Sequence, residues 1–299
     1  MTLTVRAPAK INLHLGVGAV RPDGFHPLAT VYQAVGLYDD VTVADAPEWT
    51  VSVRGADHVA LPEVPHDSSN IAIRAGLALA AHHGLRRTAR IEIYKGIPVA
   101  GGLAGGSADA AATLVALDRL WSLHTPDEDL LAIAGSLGSD VPFALLGGSA
   151  TGHGHGEIVA PLADGGAWWW VVVGSSAGLS TPAVYRHFDQ LGGAVEEPEI
   201  PSALVTALRT GDVELLAASL GNDLQAPALD LRPDLRRTFA DGLAAGALAT
   251  LLSGSGPTVL LLCRNGDHAR EVAGGMVERG HDRCWPAPAP VAGAHPIRY

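Results

Sequence analysis

The chain opens with apolar and polar residues alternating in steps of two. Leu3 to Val5 reads as a strand, and from Arg6 to Gly16 the side chains of Ile11, Leu13 and Leu15 share one face while Lys10, Asn12 and His14 share the other. That pattern fits a half-exposed strand with a polar outer face, and it equally fits a strand that carries chemistry on that face. Thr30 to Leu37, Asp40 to Ala44 and Thr50 to Arg54 predict three more strands. From Asp67 the period lengthens to that of a helix rich in Ala, Leu and Ile, running to His83 and stopped at Gly84. Arg90 to Tyr94 predicts a short strand with Ile91 and Ile93 inward, which delivers the chain through Lys95 to a glycine-rich loop. Behind the loop, Leu114, Leu117 and Trp121 recur at helical spacing. The helix they define covers about 15 residues, or roughly 22 Å.

The second half alternates strands and helices less regularly. Thr125 is placed as the cap of a helix reaching Leu137, with Pro126 and the acids after it in the first turn. Gly147 to Glu157 is rich in Gly and His and predicts a loop, with a domain boundary near it. Trp168 to Val173 predicts a buried strand; Thr181 and Pro182 start a helix that contains Tyr185; and Ser202 to Thr210 and Asp212 to Ser219 are helical. Asn222 to Pro227 interrupts the helical pattern, which resumes over Asp234 to Ala245. Ala249 to Leu262 holds a second Gly-rich turn, Ser253-Gly-Ser-Gly256, between two apolar runs, the pattern of a strand–turn–strand hairpin. Asp267 to Arg279 is a last helix, and a Pro-rich tail follows from Trp285.

The first Gly-rich loop carries the most chemistry. Pro98, Val99 and Ala100 lead into Gly101 and Gly102; Leu103 and Ala104 separate these from Gly105 and Gly106; Ser107 and Ala108 enter the helix. Glycine leaves the backbone bare where a ligand can approach, Ser107 is a good N-cap, and the helix dipole adds partial positive charge at the same end. The combination predicts an anion site with phosphate as its commonest occupant. It is not a Walker loop, because no Lys-Ser/Thr pair follows Gly106, and the segment has no Gly-x-Gly-x-x-Gly dinucleotide fingerprint.

Composition narrows the setting. The 299 residues are comfortable for two domains, 47% hydrophobic content supplies a normal core, and 17% charged content argues against disorder. A net charge of −11 argues against binding nucleic acid over the whole surface, so an anionic ligand needs a local positive site. Of the 20 basic side chains only Lys10 and Lys95 are lysines, which singles out positions where a compact ammonium is wanted instead of a planar fork. Two cysteines without metal-ligand spacing and no long apolar core near the N-terminus predict a cytoplasmic protein without a membrane span.

Three smaller features stand out. Pro22-Asp-Gly24 makes a tight turn, and Phe25 and His26 just beyond it either plug a core edge or stack on and hydrogen-bond a heteroaromatic base. Asp140, in a Gly/Ser turn before the apolar run Val-Pro-Phe-Ala-Leu-Leu, is a general base, a metal ligand, or merely a helix cap. His153 and His155 alternate as metal ligands can, but no third ligand stands nearby, so a flexible loop is the preferred reading.

Pro8-Ala-Lys-Ile-Asn-Leu13, the Pro98 to Ala108 loop and Leu252-Ser-Gly-Ser-Gly-Pro257 together resemble, in order, the three motifs of the GHMP small-molecule kinases, the family of galactokinase, homoserine kinase, mevalonate kinase and phosphomevalonate kinase. The resemblance implies an α+β, two-domain fold: an N-terminal ATP-binding domain over 1–155, like the second domain of a small-subunit ribosomal protein, and a ferredoxin-like C-terminal domain over 156–299. It implies ATP and Mg2+ as cofactors, the Pro98 to Ala108 loop on the ATP phosphates, Ser107 on the metal, and Lys95 and Asn70 near the adenine. Asp140 would take the proton of the acceptor hydroxyl beside Lys10. Within the family, Arg21-Pro-Asp-Gly-Phe-His26 and Gly138-Ser-Asp-Val-Pro-Phe143 imply a cytidine diphosphate-linked methylerythritol as the small-molecule acceptor. Phe25 and Tyr185 would stack on its base, His26 would bond the cytosine edge, and Asn12 would touch the alcohol. Relatives often carry Tyr at the first ring position and Phe at the second, so the hydroxyl is moved in this chain. A monomer or weak homodimer, with no nucleic acid or membrane partner, is expected. Another kinase of the family, such as a homoserine kinase, and a non-catalytic nucleotide-binding scaffold on the same fold are the alternatives.

Overall fold

The computed structural model describes residues 2–59, 61, 64–99, 101–192 and 195–298. Its elements are, in order, β1 (Thr2–Val17), β2 (Leu28–Asp45), β3 (Thr50–Gly55), α1 (Ile71–His82), β4 (Ala89–Lys95), α2 (Gly105–Trp121), α3 (Asp127–Leu137), α4 (Val141–Leu146), β5 (Ser149–His153), β6 (Ile158–Pro161) and β7 (Trp168–Val173). There follow α5 (Thr181–Leu191), α6 (Ser202–Thr210), α7 (Val213–Ser219), β8 (Gly221–Asn222), α8 (Gln225–Leu231), α9 (Leu235–Ala244), β9 (Ala249–Leu252), β10 (Val259–Cys263), α10 (Gly266–Glu278), β11 (Cys284–Ala289) and β12 (His295–Ile297).

Among the described residues the strands form two sheets. One has the order β12-β1-β2-β4-β3, with β5 on β2, β6 on β5 and β8 on β1; the other is β11-β7-β10-β9. β1 and β2 pair antiparallel over nearly their whole length, with register breaks at Pro8/Ala9 and Asn12/His14. Helix α2 packs across both strands and against α1, so Leu114, Leu117 and Trp121 are buried as their spacing predicts. In the four-stranded sheet β7, β9 and β10 are joined antiparallel, and α10 covers the side that buries Val171, Leu261 and Met276. The α+β architecture is as expected.

Several local expectations are corrected. Thr30 to Leu37 and Asp40 to Ala44 are one strand, β2, because the irregularity between them is absorbed where Pro8 faces Tyr38 and Ala9 faces Val35. The stretch expected as a flexible Gly/His loop, Gly147 to Glu157, instead holds β5 and the turn that leads into β6, a hairpin that extends the first sheet from β2. The Pro-rich tail holds β11 and β12; prolines are tolerated because these strands lie at sheet edges, where an N–H is dispensable. Helix α1 starts at Ile71, not Asp67, because Asn70 is its cap: its side-chain Oδ1 accepts the Ala72 N–H at 2.9 Å. Thr125 does not cap α3; its hydroxyl donates to Asp118 at 2.5 Å, and the helix begins after Pro126. Ser180, not Thr181, is the cap position of α5. The segment read as an interruption between helices contains β8 and the start of α8. Cys263 is buried and Cys284 half-buried, and neither is in a disulfide.

Candidate active site

The glycine-rich loop ends on Ala104, whose left-handed backbone (φ 57°, ψ 36°) turns the chain into α2 at Gly105. Ser107 therefore does not cap the helix, as expected from its type, but sits inside the first turn, and its hydroxyl has no hydrogen-bond partner among the described residues. The amides of that turn lack helical acceptors by position and carry the positive end of the helix dipole. Pro98, Val99, Gly101, Gly102, Leu103, Ala104, Gly105 and Gly106 all border one cavity of about 450 Å³, which Asn70 and Lys95 also line. Ala108 does not belong to it: the residue is fully buried and its N–H is bonded to Ala104 O at 3.0 Å. Ala100 lies outside the described residues.

The cradle is anchored from below. Asp39 Oδ1 accepts the backbone N–H groups of Gly96 and Ile97 at 2.8 and 2.9 Å. Lys95 donates to Asp39 at 2.5 Å, to Asp109 at 2.7 Å and to Gly105 O at 3.2 Å. All three ammonium hydrogens are thus engaged, and Lys95 holds the loop and the helix start together instead of offering its charge to the cavity. Burial acts to lower the Lys95 pKa, but the carboxyls of Asp109 and Asp39 outweigh it and hold the ammonium above its ordinary value. Burial pushes the Asp109 carboxyl well above its ordinary value, Lys95 pulls the other way, and neighbouring Asp39 adds to the rise. Asn70 is similarly committed: besides capping α1, its amide donates to Pro65 O at 2.7 Å.

Two other segments close on the cradle. The backbone N–H of Lys10 donates to Leu103 O at 3.1 Å. The turn between β9 and β10 lies so close that a Cβ at Gly102 (φ +75°) would stand 2.9 Å from Ser253 O. On this seam Lys10, 8% exposed, places its Nζ 3.6 Å from Asp140 Oδ2. The same Nζ donates to Asn12 Oδ1 at 2.8 Å; Asn12 in turn donates to the Thr30 hydroxyl at 2.8 Å, and that hydroxyl donates to His14 O. The polar face of β1 is therefore buried, not solvated. Asp140 stands at the cap position of α4 yet makes no capping bond, which leaves its carboxylate for Lys10. Tyr32, one aromatic residue in an apolar strand with no distinguishing sequence signal, seats its ring 5.4 Å from Lys10 Nζ. Burial and the Asp140 carboxylate push its phenol well above its ordinary pKa, and the same two causes push Tyr185 to about 12. Lys10, Asn12, Tyr32, Asp140 and Tyr185 line a second cavity, of about 300 Å³.

Phe25, His26 and Tyr185 are brought together in a third cavity of about 480 Å³. Phe25 is 57% exposed, so it does not plug a core. His26 lies 2.8 Å from Asp189 Oδ1, and its ring is 5.0 Å from that of Tyr185. His155 stacks on Phe25 at 4.6 Å. No group of three or more His, Cys, Asp or Glu suited to hold a metal exists among the described residues. Ser107 is not among the residues that border the cavity, but its unpaired hydroxyl is in the adjoining first turn of α2, and a magnesium ion that takes most of its ligands from phosphate and water needs no more than one such group.

A glycine-lined cavity, a Lys10–Asp140 pair and a ring-lined cavity thus adjoin one another. The model of the GHMP kinases N terminal domain matches residues 70–148 and that of the GHMP kinases C terminal domain matches 204–282. The chain belongs to the GHMP kinase family, and its two-domain α+β fold is that family's. More narrowly, it is 59% identical to the 4-diphosphocytidyl-2-C-methyl-D-erythritol kinase of a Nocardioides species over 99% of this chain and 100% of that one. It is 50% identical to the protein of that name from Streptomyces avermitilis over 98% and 99%. A crystal structure of 4-(cytidine 5'-diphospho)-2C-methyl-D-erythritol kinase superposes with TM-score 0.80 at 33% identity, covering 98% of this chain and all of the other. A homoserine kinase from Cytophaga hutchinsonii shares the fold (TM-score 0.76) at 20% identity, over 99% and 97% of the two chains. Among the described residues no helix is long and apolar enough to cross a membrane.

Proposed function

We propose that the protein transfers the γ-phosphoryl group of ATP to the 2-hydroxyl of 4-diphosphocytidyl-2-C-methyl-D-erythritol, a step of the non-mevalonate isoprenoid precursor pathway. The observation that carries this reading is the Lys10–Asp140 pair, 3.6 Å apart in a cavity that adjoins the Gly-rich cradle and shares residues with the Phe25 cavity. The first-turn amides of α2 and the loop bind the ATP phosphates. Asp140 accepts the proton of the acceptor hydroxyl as its oxygen attacks the γ-phosphorus; the bond to the β–γ bridging oxygen breaks, and ADP leaves with that electron pair. Lys10, 3.6 Å from Asp140, offsets negative charge on the transferring group, while Asn12 and Thr30 hold Lys10 in place. The Ser107 hydroxyl would help hold Mg2+ beside the nucleotide phosphates, where the ion would supply further charge neutralisation. Phe25 and Tyr185 flank the cytosine and His26, oriented by Asp189, bonds its edge. The division of the chain at about residue 155 into an ATP-binding part and a C-terminal part belongs to the same reading.

The test is ATP consumption against a panel of alcohols with and without a cytidine diphosphate handle, homoserine and mevalonate included. Turnover confined to the cytidyl alcohol supports the assignment; comparable turnover of homoserine moves the chain to another branch of the family.

A further inference from the structure

The cavity of the catalytic pair and the cavity of the stacking rings share five lining residues: Leu28, Ser139, His155, Thr181 and Tyr185. Any molecule with a flat base in one cavity and a reacting hydroxyl in the other runs its linker past this seam. On the acceptor reading above, on which this inference rests, the linker is a diphosphate, which needs hydrogen-bond donors or positive charge along its length. Lys10 stands at the reacting end and is occupied with Asp140 and Asn12; Arg186 lines only the base end. Of the five shared residues, His155 alone has a side chain that can carry positive charge.

His155 is presented by design of the hairpin. It sits at the tip between β5 and β6, flanked by Gly154 (φ 70°) and Gly156 (φ 104°), and its own N–H donates to Glu157 at 2.7 Å. A larger residue at 156 would strike Tyr32, whose hydroxyl is 2.3 Å from where that Cβ would be. The imidazole lies against Phe25, centroids 4.6 Å apart and planes within 21°. Its Nε2 is 3.8 Å from Asp23 Oδ2 in the Pro-Asp-Gly turn, too far for a hydrogen bond, so that nitrogen is not committed there. The remaining acids around the two cavities, Asp140, Glu157 and Asp189, are engaged with Lys10, the His155 backbone and His26.

We infer that His155 is a specificity-determining residue of the acceptor site, which backs the Phe25 ring and donates a hydrogen bond to the diphosphate between base and alcohol. It gives the Gly/His-rich segment a function other than metal binding.

The experiment is calorimetric titration of the full-length protein with CDP and with cytidine, paired with steady-state kinetics. In His155→Ala, CDP affinity falls about tenfold, as for loss of one hydrogen bond to a charged group. Cytidine affinity moves less than about threefold in that variant, and His155→Gln, which keeps a donor, recovers part of the CDP loss. KM for the cytidyl alcohol rises by a similar factor while kcat and KM for ATP stay within about twofold. An unchanged melting temperature confirms that the exposed tip has not unfolded the protein. Equal losses for CDP and cytidine would show that His155 only props Phe25 and overturn the inference, as would no loss for either. A wild-type protein that binds neither probe overturns the acceptor reading itself, and this role with it.

Discussion

Asp140 makes no use of its place at the start of α4: the helix is short, its first turn contains Pro142, and the carboxylate turns to Lys10. A capping aspartate replaced by asparagine would change helix stability by little, since both are good caps. A general base so replaced loses its proton acceptor. Asp140→Asn is expected to lower kcat by ~10²-fold or more, with the affinity for ATP within about twofold, measured by single-turnover kinetics and nucleotide titration. Near-normal turnover would remove Asp140 from the mechanism. Phe25→Ala makes the complementary test. It removes an exposed ring that contributes little to the core, so the fold should stand, while KM for the cytidyl alcohol rises about tenfold or more and KM for ATP does not. An equal rise in both would contradict stacking.

The loop and α2 owe their shape to a buried ion cluster. Asp39 on β2, Lys95 at the end of β4 and Asp109 in α2 tie three elements at the base of the cradle. The upward shifts on both carboxyls, caused chiefly by burial, carry a definite consequence for stability. A carboxyl that keeps its proton in the native state binds more protons there than in the unfolded chain, so stability falls as pH rises from about 4, the unfolded value, through the native one. Asp109→Asn takes away the titrating carboxyl and with it most of that fall. Urea midpoints of the variant and the parent are therefore expected to draw closer, or cross in the variant's favour, as pH rises from 5 to 8. A gap that widens with pH would mean that Asp109 is ionised in the native protein.

The two halves of the sequence are sewn together by the strands that the Pro-rich tail supplies. β11 completes the four-stranded sheet beside β7, and β12 then returns to pair with β1, the strand that carries Lys10. β8 does the same from the middle of the C-terminal half, lying parallel to β1 at His14 and Leu15. Both thiols sit within this construction, and burial pushes Cys263 to about 12 and Cys284 to about 11. Thiolate is the reactive form, so neither is expected to react quickly with a disulfide reagent at pH 8 until urea unfolds the chain. Fast labelling of the native protein would show that the second sheet opens readily.

Much of this was readable in linear order. The strand with Lys10 and Asn12, the glycine loop from Gly101 to Gly106 that opens into a helix, and the hairpin around Ser253 to Gly256 follow from periodicity and glycine spacing, because each is decided by neighbours a few residues away. Other features answer to distant partners. Lys95 reads as a ligand-binding lysine until Asp39, Asp109 and the Gly105 carbonyl are found to use all its donors, 56, 14 and 10 residues away. Ser107 has the right chemistry for a cap, but the left-handed turn at Ala104 starts the helix earlier. The Gly/His-rich segment looks unstructured because its alternation is with glycine; it becomes a hairpin only because β2 offers it an edge. Tyr32 carried no local signal at all, being one aromatic residue in an apolar strand, and matters through its packing beside Lys10. Local composition decided which segments can bind phosphate or stack on a base, whereas long-range pairing and burial decided which of their side chains remain free to do so.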